Sequence, residues 1–319
     1  HTVGSITLFA DVDGAKLAFS GDLIGEGGKL WSIASTQWAY NDALGAAASV
    51  FSLLDLKEAG PDLILPSHGE PIERPAETVD LLVDRLTRLL DLRGQFKGLV
   101  DYRDRPFVEI TPHLLWNRCS RSYSYVLLSQ SGKALLIDYG YDLLPKGINL
   151  IKPNYSSDRW SRRPLLHSAR KLKELYEVAS IDVAIPTHYH DDHVASLNLL
   201  REVEQTRIWV PERFSDVLAD PDAYDLPCLW FDPIPADEVL PMDTPIRWEE
   251  YELTLHPISG HTRYAAAISF EVDGKRVLAI GDQQENSGTY RNFVYKAGFR
   301  AGDFRRSAEL FRTIDPDVI

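Results

Sequence analysis

The sequence predicts an α/β fold in which short apolar strands alternate with amphipathic helices. Three observations lead to that prediction. The apolar run from Ile181 to Pro186 enters a cluster of histidines, a helix is predicted from Val194 to Val203, and one hairpin pattern occurs twice. A strand, a polar loop and a helix in that order are typical of α/β folds with their chemistry at a strand's C-terminal edge. With 319 residues and 44% hydrophobic content, the chain can bury one large core or two modest ones.

The repeated hairpin recurs at a constant spacing of 260 residues. His1-Thr2 precedes an apolar strand, an Asp-Gly turn, a second apolar strand and Gly-Asp22, and His261-Thr262 precedes the same arrangement, which ends at Asp282. An Asp-Gly pair between two apolar runs predicts a tight hairpin, because its turn needs positive φ at both central residues. Each copy therefore places a histidine at the start of a hairpin and an aspartate at its end.

The repeat also predicts the domain organisation. In the first copy Pro61 to Ile64 leads on to Ser-His68-Gly, and in the second copy the equivalent residues are Pro316 to Ile319. We interpret residues 1–100 as the C-terminal half of a first domain. Residues 101–319 then form a second, homologous domain that lacks its extreme C-terminus. A complete first copy predicts an H-x-H-x-D-H motif about 70 residues before His1.

Hydrophobic periodicity and turn signals predict the elements of both parts. In the first part, helices are predicted from Asn41, as the N-cap, to Leu56 and from Ala76 to Leu92, and Gly94 to Arg105 is the candidate linker. The elements predicted in the second part, besides those around the histidine cluster, are strands at Phe107 to Leu115, Tyr123 to Ser129 and Ala134 to Ile137, and a helix at Pro164 to Ala179.

Composition excludes several classes of function. The formal net charge of −13 argues against broad nucleic-acid binding, which needs clustered Lys and Arg. No apolar run approaches the roughly 18 to 20 residues of a membrane span. Cys119 and Cys228 form no metal-binding spacing, and we expect two buried thiols. We expect a cytoplasmic protein that acts on a small-molecule substrate, although its true N-terminus is not visible.

The histidine cluster between Thr187 and His193 is the densest group of candidate ligands. His188, His190 and His193 stand beside two carboxylates, Asp191 and Asp192. Imidazole and carboxylate without thiolate suit zinc, iron or manganese and leave room for a water molecule. The cluster therefore predicts a metal site at the end of a strand.

The motifs taken together resemble the metallo-β-lactamase superfamily. The resemblance rests on the H-x-H-x-D-H cluster after an apolar strand, on Gly-His261-Thr, and on Gly-Asp282 at a strand end. Asp138 matches a further aspartate that the family has at an earlier strand end. The resemblance implies an αββα sandwich with the metals at one edge of its two sheets. The motifs are specific for the fold and poorly specific for substrate.

The resemblance also implies a role for each motif residue. His188, His190 and His261 would hold a first zinc ion, Asp192 and His193 a second, and Asp282 would bridge the two. The family usually supplies one further histidine to the second metal from a late loop, and no histidine follows Asp282 in this sequence.

The expected chemistry is hydrolysis by a metal-bound hydroxide, since a metal lowers the pKa of water from about 16 to roughly 7. Asp192 would be the catalytic residue that orients this hydroxide and shuttles its proton. An ester, thioester, lactone, amide or phosphoester is the expected substrate. Two alternatives stay open: a mononuclear iron dioxygenase of the same fold, which acts on persulfides, and an inactive truncated fragment.

The repeat assigns a partial metal site to the first copy, formed by His1, Asp22 and His68. As an alternative, His68 would complete the site of the second copy beside Asp282. We expect the first arrangement, because His68 would otherwise bring a second hairpin to a place that is already filled.

Three histidines lie outside the motifs. They are His113, His167 and His256. We expect His167, in a predicted helix, to be a surface or partly buried side chain, and His256 to have a structural role or to support the metal ligands. The aromatic residues between Thr206 and Glu250 are explained equally well by a substrate pocket or by core packing. They are Trp209, Tyr224, Trp230, Phe231 and Trp248.

Overall fold

The computed structural model describes residues 5–30, 44–94, 98–141, 163–284 and 301–319. The chain divides into two compact units, the first formed by residues 1–103 with 144–152 and the second by residues 104–143 with 153–319. No helix in the described ranges is long and apolar enough to cross a membrane.

The first unit contains a three-stranded sheet in the order β1-β2-β3, with β1 antiparallel and β3 parallel to β2. Its elements are β1 (Leu8–Val12), β2 (Ala15–Gly21), α1 (Leu44–Glu58), β3 (Leu63–Pro66), α2 (Pro75–Leu92) and α3 (Leu99–Asp104). The helix predicted from Ala76 is confirmed as α2, whose first turn accommodates Pro75 because its missing N–H has no partner there in any helix. The predicted cap Asn41 lies outside the described residues.

The predicted linker from Gly94 to Arg105 is wrong in part, because it contains α3. Leu99 and Arg103, four residues apart on one face of α3, are both buried. The Arg103 guanidinium lies 2.7 Å from Asp55 and 2.8 Å from Glu58 of α1. A buried guanidinium needs such partners, so tertiary ion pairing orders a stretch that looks like a linker.

The second unit contains a seven-stranded sheet and a four-stranded sheet, in the orders β10-β9-β8-β7-β6-β5-β4 and β11-β12-β13-β14. Its strands are β4 (Phe107–Thr111), β5 (Leu114–Asn117), β6 (Ser124–Leu128), β7 (Lys133–Ile137), β8 (Ser180–Ile185), β9 (Arg207–Pro211), β10 (Glu238–Leu240), β11 (Pro245–Trp248), β12 (Tyr251–Ile258), β13 (Ala265–Val272) and β14 (Lys275–Ala279). Its helices are α4 (Arg163–Tyr176), α5 (Asp191–Val194), α6 (Leu197–Glu204), α7 (Ser215–Ala219) and α8 (Ala301–Ile314).

The two sheets of the second unit pack face to face between two layers of helices. Alternation along the strands produces this arrangement: Leu135 of β7 points into the core between the sheets, whereas Leu136 points to the helices on the other side. Phe311 of α8 packs on the outer face of the smaller sheet, against Leu278. The layers are therefore the predicted αββα sandwich.

Two predicted elements of the second unit are each divided in two. The strand predicted from Phe107 to Leu115 is an antiparallel pair, β4 and β5, because His113 turns and its backbone N–H donates to Asp273 Oδ2 (2.9 Å). The helix predicted from Val194 to Val203 is interrupted at Ser196, whose N–H donates to Tyr139 O (3.1 Å).

The repeated hairpins have the same backbone structure in both units. The turns have nearly equal φ angles, 52° at Asp13 and 50° at Asp273. In the first unit Asp62 N donates to Lys16 O (2.8 Å) and Lys16 N donates to Asp62 Oδ2 (2.7 Å). In the second unit Arg276 and Asp317 make the same two bonds at 2.8 and 2.9 Å.

The hairpins differ in how their apolar face is covered. Leu8 and Val12 in the first unit are 58% and 45% exposed. Their counterparts Ile268 and Val272 are buried between the two sheets of the second unit. The same pattern of side chains is therefore a core face in the second unit and an exposed face in the first.

Candidate metal centre

The histidine cluster lies in the loop that leaves the C-terminal end of β8. Thr187 O accepts a hydrogen bond from Ala266 N (2.8 Å), which holds the loop against β13. Tyr189 is fully buried in the core beneath the helices. Because side chains alternate along extended backbone, its neighbours His188 and His190 face the opposite side together.

Three imidazoles form a first group of candidate ligands. His188, His190 and His261 each offer one nitrogen atom, and these atoms lie within 4.8 Å of one another. His261 Nε2 is 3.0 Å from His190 Nδ1. All three side chains are buried, and within the described chain His188 Nε2 has no hydrogen-bond partner. Converging buried nitrogen atoms of this kind fit a cation that accepts their lone pairs.

A second group consists of His188, His193 and Asp282. His193 Nε2 lies 3.4 Å from Asp282 Oδ1, and His261 Nε2 lies 3.8 Å from Asp282 Oδ2. The two oxygens of one carboxylate thus face the two groups. This placement is consistent with the bridging role expected for Asp282, which stays a prediction.

Burial and neighbouring charges set the protonation of these side chains. Burial, and then the adjacent imidazoles, hold the pKa of His188 and His190 well below the usual range. Burial would raise the pKa of Asp282, but His193 and the other imidazoles outweigh it and lower that pKa. At neutral pH His188 and His190 are therefore neutral and Asp282 is ionised, which are the forms that bind metal.

Asp138 contacts two residues of the histidine cluster, Thr187 and His193. Its fully buried carboxylate accepts hydrogen bonds from Thr187 N and Thr187 Oγ1, both at 2.7 Å, and lies 2.9 Å from His193 Nδ1. Burial lowers the pKa of His193, but Asp138 and then Asp192 outweigh it and raise that pKa. The contact directs Nδ1–H of His193 toward Asp138 and Nε2 toward Asp282.

Asp192 lies outside both groups, at the edge of the site. Its Oδ1 is 3.9 Å from His193 Nε2, and its side chain is a quarter exposed. Burial raises the pKa of Asp192, although His193 opposes the shift. Ser122 Oγ donates to Asp192 O (2.6 Å), and a Cβ atom on Gly140 would lie 1.8 Å from the same oxygen. The position of Asp192 thus depends on a close backbone contact.

Sequence reasoning missed two groups that support the cluster. Tyr141 Oη donates to Asp191 Oδ2 (2.9 Å), and Asp191 Oδ1 accepts from Asp192 N (3.0 Å). Gln283, which follows the candidate ligand Asp282, contacts the loop of His261. The role of Gln283 could have been suspected from the sequence, because the two hairpins are otherwise similar and the first has Leu23 at the equivalent position.

In the first unit the structure brings together two of the three residues of the partial site. His68 Nδ1 lies 2.7 Å from Asp22 Oδ1, with the imidazole 54% exposed and the carboxylate 15% exposed. His1 lies outside the described residues. A metal role for this pair stays a prediction.

The other histidines make structural contacts. His113 Nδ1 lies 2.7 Å from Asp273 Oδ1, and His167 Nδ1 accepts a hydrogen bond from Arg170 (2.9 Å). His256 Nε2 lies 2.8 Å from Ser269 Oγ, on the neighbouring strand. His167 is a half-buried side chain of α4, and the contact of His256 is structural, as expected for these two residues.

Aromatic and sulfur-bearing side chains depart in part from expectation. Trp209 and Trp248 belong to the core between the sheets, and Trp230 belongs to the core beneath the helices. The expectation of two buried thiols is wrong, because Cys119 is half-buried and Cys228 is exposed. Cys228 occupies a turn with φ of 59°, where loop geometry rather than side-chain polarity sets its exposure.

A cavity of about 450 Å³ borders the site on the side of β14. Trp116, Tyr123 and Tyr125 line it together with His193 and Asp282. In the first unit the corresponding edge of β2 carries β3. The cavity therefore lies at the edge of β14 that corresponds to the edge of β2 paired with β3 in the first unit.

A search of curated proteins found no match. Among solved structures, the metallo-β-lactamase FEZ-1 from Legionella gormanii is 18% identical, with coverage of 66% of this chain and 76% of that one and a TM-score of 0.46. The class B3 di-zinc enzyme LRA-12 from an Alaskan soil metagenome is 14% identical, with coverage of 67% and 77% and a TM-score of 0.48. A β-lactamase from Chitinophaga pinensis is 18% identical, with coverage of 68% and 77% and a TM-score of 0.48.

The family comparison covers most of the second unit. The family model described as the metallo-beta-lactamase superfamily matches residues 118–319, which is more than half of the chain and includes every residue of the two ligand groups. The chain therefore belongs to the metallo-β-lactamase superfamily.

Proposed function

We propose that the second unit is a metal-dependent hydrolase of a small molecule that contains an ester, thioester, lactone, amide or phosphoester. One observation carries this proposal. His188, His190 and His261 converge as buried imidazoles, and the lowered pKa values of His188 and His190 keep these two neutral. A second group with His193 and Asp282 adjoins them. Burying so many polar nitrogen atoms is costly unless a ligand satisfies them, and divalent cations are suitable ligands.

In this proposal His188, His190 and His261 hold a first cation, with His193 and Asp192 at a second and Asp282 between the two. Imidazole and carboxylate donors suit zinc, with iron and manganese as further candidates. When bound, such cations acidify water and polarise the oxygen of the scissile bond.

Asp192 is the proposed proton acceptor of the reaction. Its raised pKa and partial exposure suit a carboxylate that exchanges a proton with water or substrate. Asp138 keeps His193 oriented, and Asp191 holds the backbone of Asp192. These contacts set the geometry before a substrate arrives, which reduces the reorganisation needed in the transition state.

A mononuclear iron dioxygenase is the second candidate. It needs one cation only and leaves the group around His193 and Asp282 without a role. The presence of two adjoining groups favours the hydrolase.

Metal analysis combined with activity measurements tests the proposal. The parent chain should bind zinc and hydrolyse members of an ester, thioester, lactone and phosphoester panel, and His188→Ala or His190→Ala should abolish both properties. His167→Ala removes an imidazole from α4 and is the matched control that should retain both. One equivalent of iron with oxygen consumption would favour the dioxygenase. Turnover that persists in His188→Ala would refute the metal assignment.

We also propose that residues 1–100 are the C-terminal half of a first domain of the same family and residues 101–319 most of a second. The equal hairpin registers and the exposed Leu8 and Val12, whose counterparts are buried, support this proposal. His1, Asp22 and His68 would belong to the metal site of the first copy. Asp22→Ala should leave metal binding by the second unit unchanged, and an equal loss from Asp22→Ala and Asp282→Ala would contradict it.

A further inference from the structure

Gln283 joins the two elements that carry His261 and Asp282. It follows Asp282 at the end of β14, and its side chain is almost fully buried beneath the loop Ser259 to His261. Its Oε1 accepts a hydrogen bond from His261 N (3.2 Å), and its Nε2 donates to Ser259 O (2.9 Å). One carboxamide thus pairs with both ends of a three-residue loop.

The residue inside this loop shows how closely the carboxamide fits. Gly260 has φ of 147°, a conformation that favours glycine. A Cβ atom there would lie 2.4 Å from Gln283 Nε2. The loop therefore reaches its position over Gln283 only because residue 260 has no side chain.

Comparison with the equivalent turn of the first unit shows which contacts of Gln283 depend on its side chain and which depend on its backbone. Leu23 is the counterpart of Gln283, and Leu23 N donates to Ser20 O at 3.3 Å, just as Gln283 N donates to Ile280 O at 3.3 Å. The same turn therefore forms with leucine, whose side chain is close to that of glutamine in size and cannot form a hydrogen bond. The turn does not need the carboxamide, and its two bonds serve the His261 loop.

We infer that Gln283 is a positioning residue that sets His261 against Asp282 for metal binding. The two candidate ligands lie in different loops, His261 between β12 and β13 and Asp282 after β14. Gln283 is joined through the chain to Asp282 and through hydrogen bonds to the loop of His261. His261 Nε2 lies 3.8 Å from Asp282 Oδ2 in this arrangement. Groups that orient ligands in this way typically change metal affinity by about 10- to 100-fold when they are removed. The inference rests on the proposed metal centre.

The test compares Gln283→Leu, which installs the residue of the first copy, with Ser307→Ala as matched control. Ser307 Oγ donates to the same Ser259 O (2.9 Å) from α8 but does not contact the His261 amide. In the metal-free protein, hydrogen exchange of the His261 amide should be about tenfold faster in Gln283→Leu, the effect of losing about two hydrogen bonds. In Ser307→Ala it should stay within about twofold of the parent.

Zinc affinity, measured by competition with a chelator, is the second readout. Gln283→Leu should bind zinc at least about tenfold more weakly than the parent. Ser307→Ala should bind it nearly as tightly as the parent. An unchanged amide exchange, or faster exchange with unchanged zinc affinity, would overturn the inference while leaving the metal centre intact. A parent chain that binds no zinc would instead refute the proposed metal centre, and the positioning role with it.

Discussion

Gly281→Ala tests how tightly the end of β14 packs on the histidine cluster, and Gly21→Ala is its internal control. The two glycines occupy equivalent positions with φ of 55° and 60°, so alanine costs about 1–2 kcal/mol of backbone strain at either one. A Cβ atom on Gly21 meets nothing within 4 Å, whereas one on Gly281 would lie 2.6 Å from Thr187 Oγ1 and 3.2 Å from His188 Nδ1.

The extra cost at Gly281 follows from that contact. Overpacking costs about 1–3 kcal/mol. Displacing the Thr187 hydroxyl from Asp138, where it donates at 2.7 Å, removes about 1 kcal/mol more. Urea denaturation should therefore show Gly281→Ala to lose about 2–4 kcal/mol more than Gly21→Ala. Equal losses from the two variants would refute the reasoning.

Three further predictions use the same structure. Asp282→Asn should reduce the zinc affinity of the second unit more than tenfold with little change in the thermal midpoint of unfolding, whereas Asp22→Asn should leave the zinc affinity of the second unit unchanged; equal effects of the two substitutions on that affinity would contradict this prediction. Gly140→Ala should lose at least about 2 kcal/mol in urea unfolding, because its Cβ would lie 1.8 Å from Asp192 O, and a stable variant would show that the loop can move. The pKa of Asp182 is lowered, because hydrogen bonds from Trp248 and Arg207 outweigh the effect of its burial. The ionised carboxylate therefore adds to the free energy of unfolding above about pH 4, and this stabilisation is lost as the pH falls through the folded-state pKa. Asp182→Asn should therefore be less stable than the parent at pH 7, and the difference should shrink below about pH 4; a constant difference across that range would exclude the ion pair as its cause.

Local patterns made much of the fold predictable. The cluster from His188 to His193 could be recognised as a candidate metal site because its histidines and carboxylates are adjacent in sequence and follow an apolar strand. The repeated Asp-Gly turns predicted both hairpins, because positive φ at Asp13 and Asp273 is a requirement of the turn itself. A short-range signal of this kind needs no information about the rest of the molecule.

Features that depend on distant partners could not be predicted. Helix α3 forms because Arg103 meets carboxylates that precede it by more than 40 residues. The break in the predicted helix before α6 depends on a hydrogen bond from Ser196 N to Tyr139 O. The hydrogen bond between Gln283 and His261 joins residues that are 22 positions apart in the sequence. Such contacts are fixed by tertiary packing, which hydrophobic periodicity does not report.

Crystals of the chain grown with zinc and measured at the zinc absorption edge test the proposed metal centre most directly. The account predicts an anomalous peak within about 2.0–2.2 Å of ring nitrogens of His188, His190 and His261. A second peak beside His193 and Asp282 is expected at about 3.5–4 Å from the first. Zinc found only at other side chains, with these imidazoles unliganded, would contradict the account.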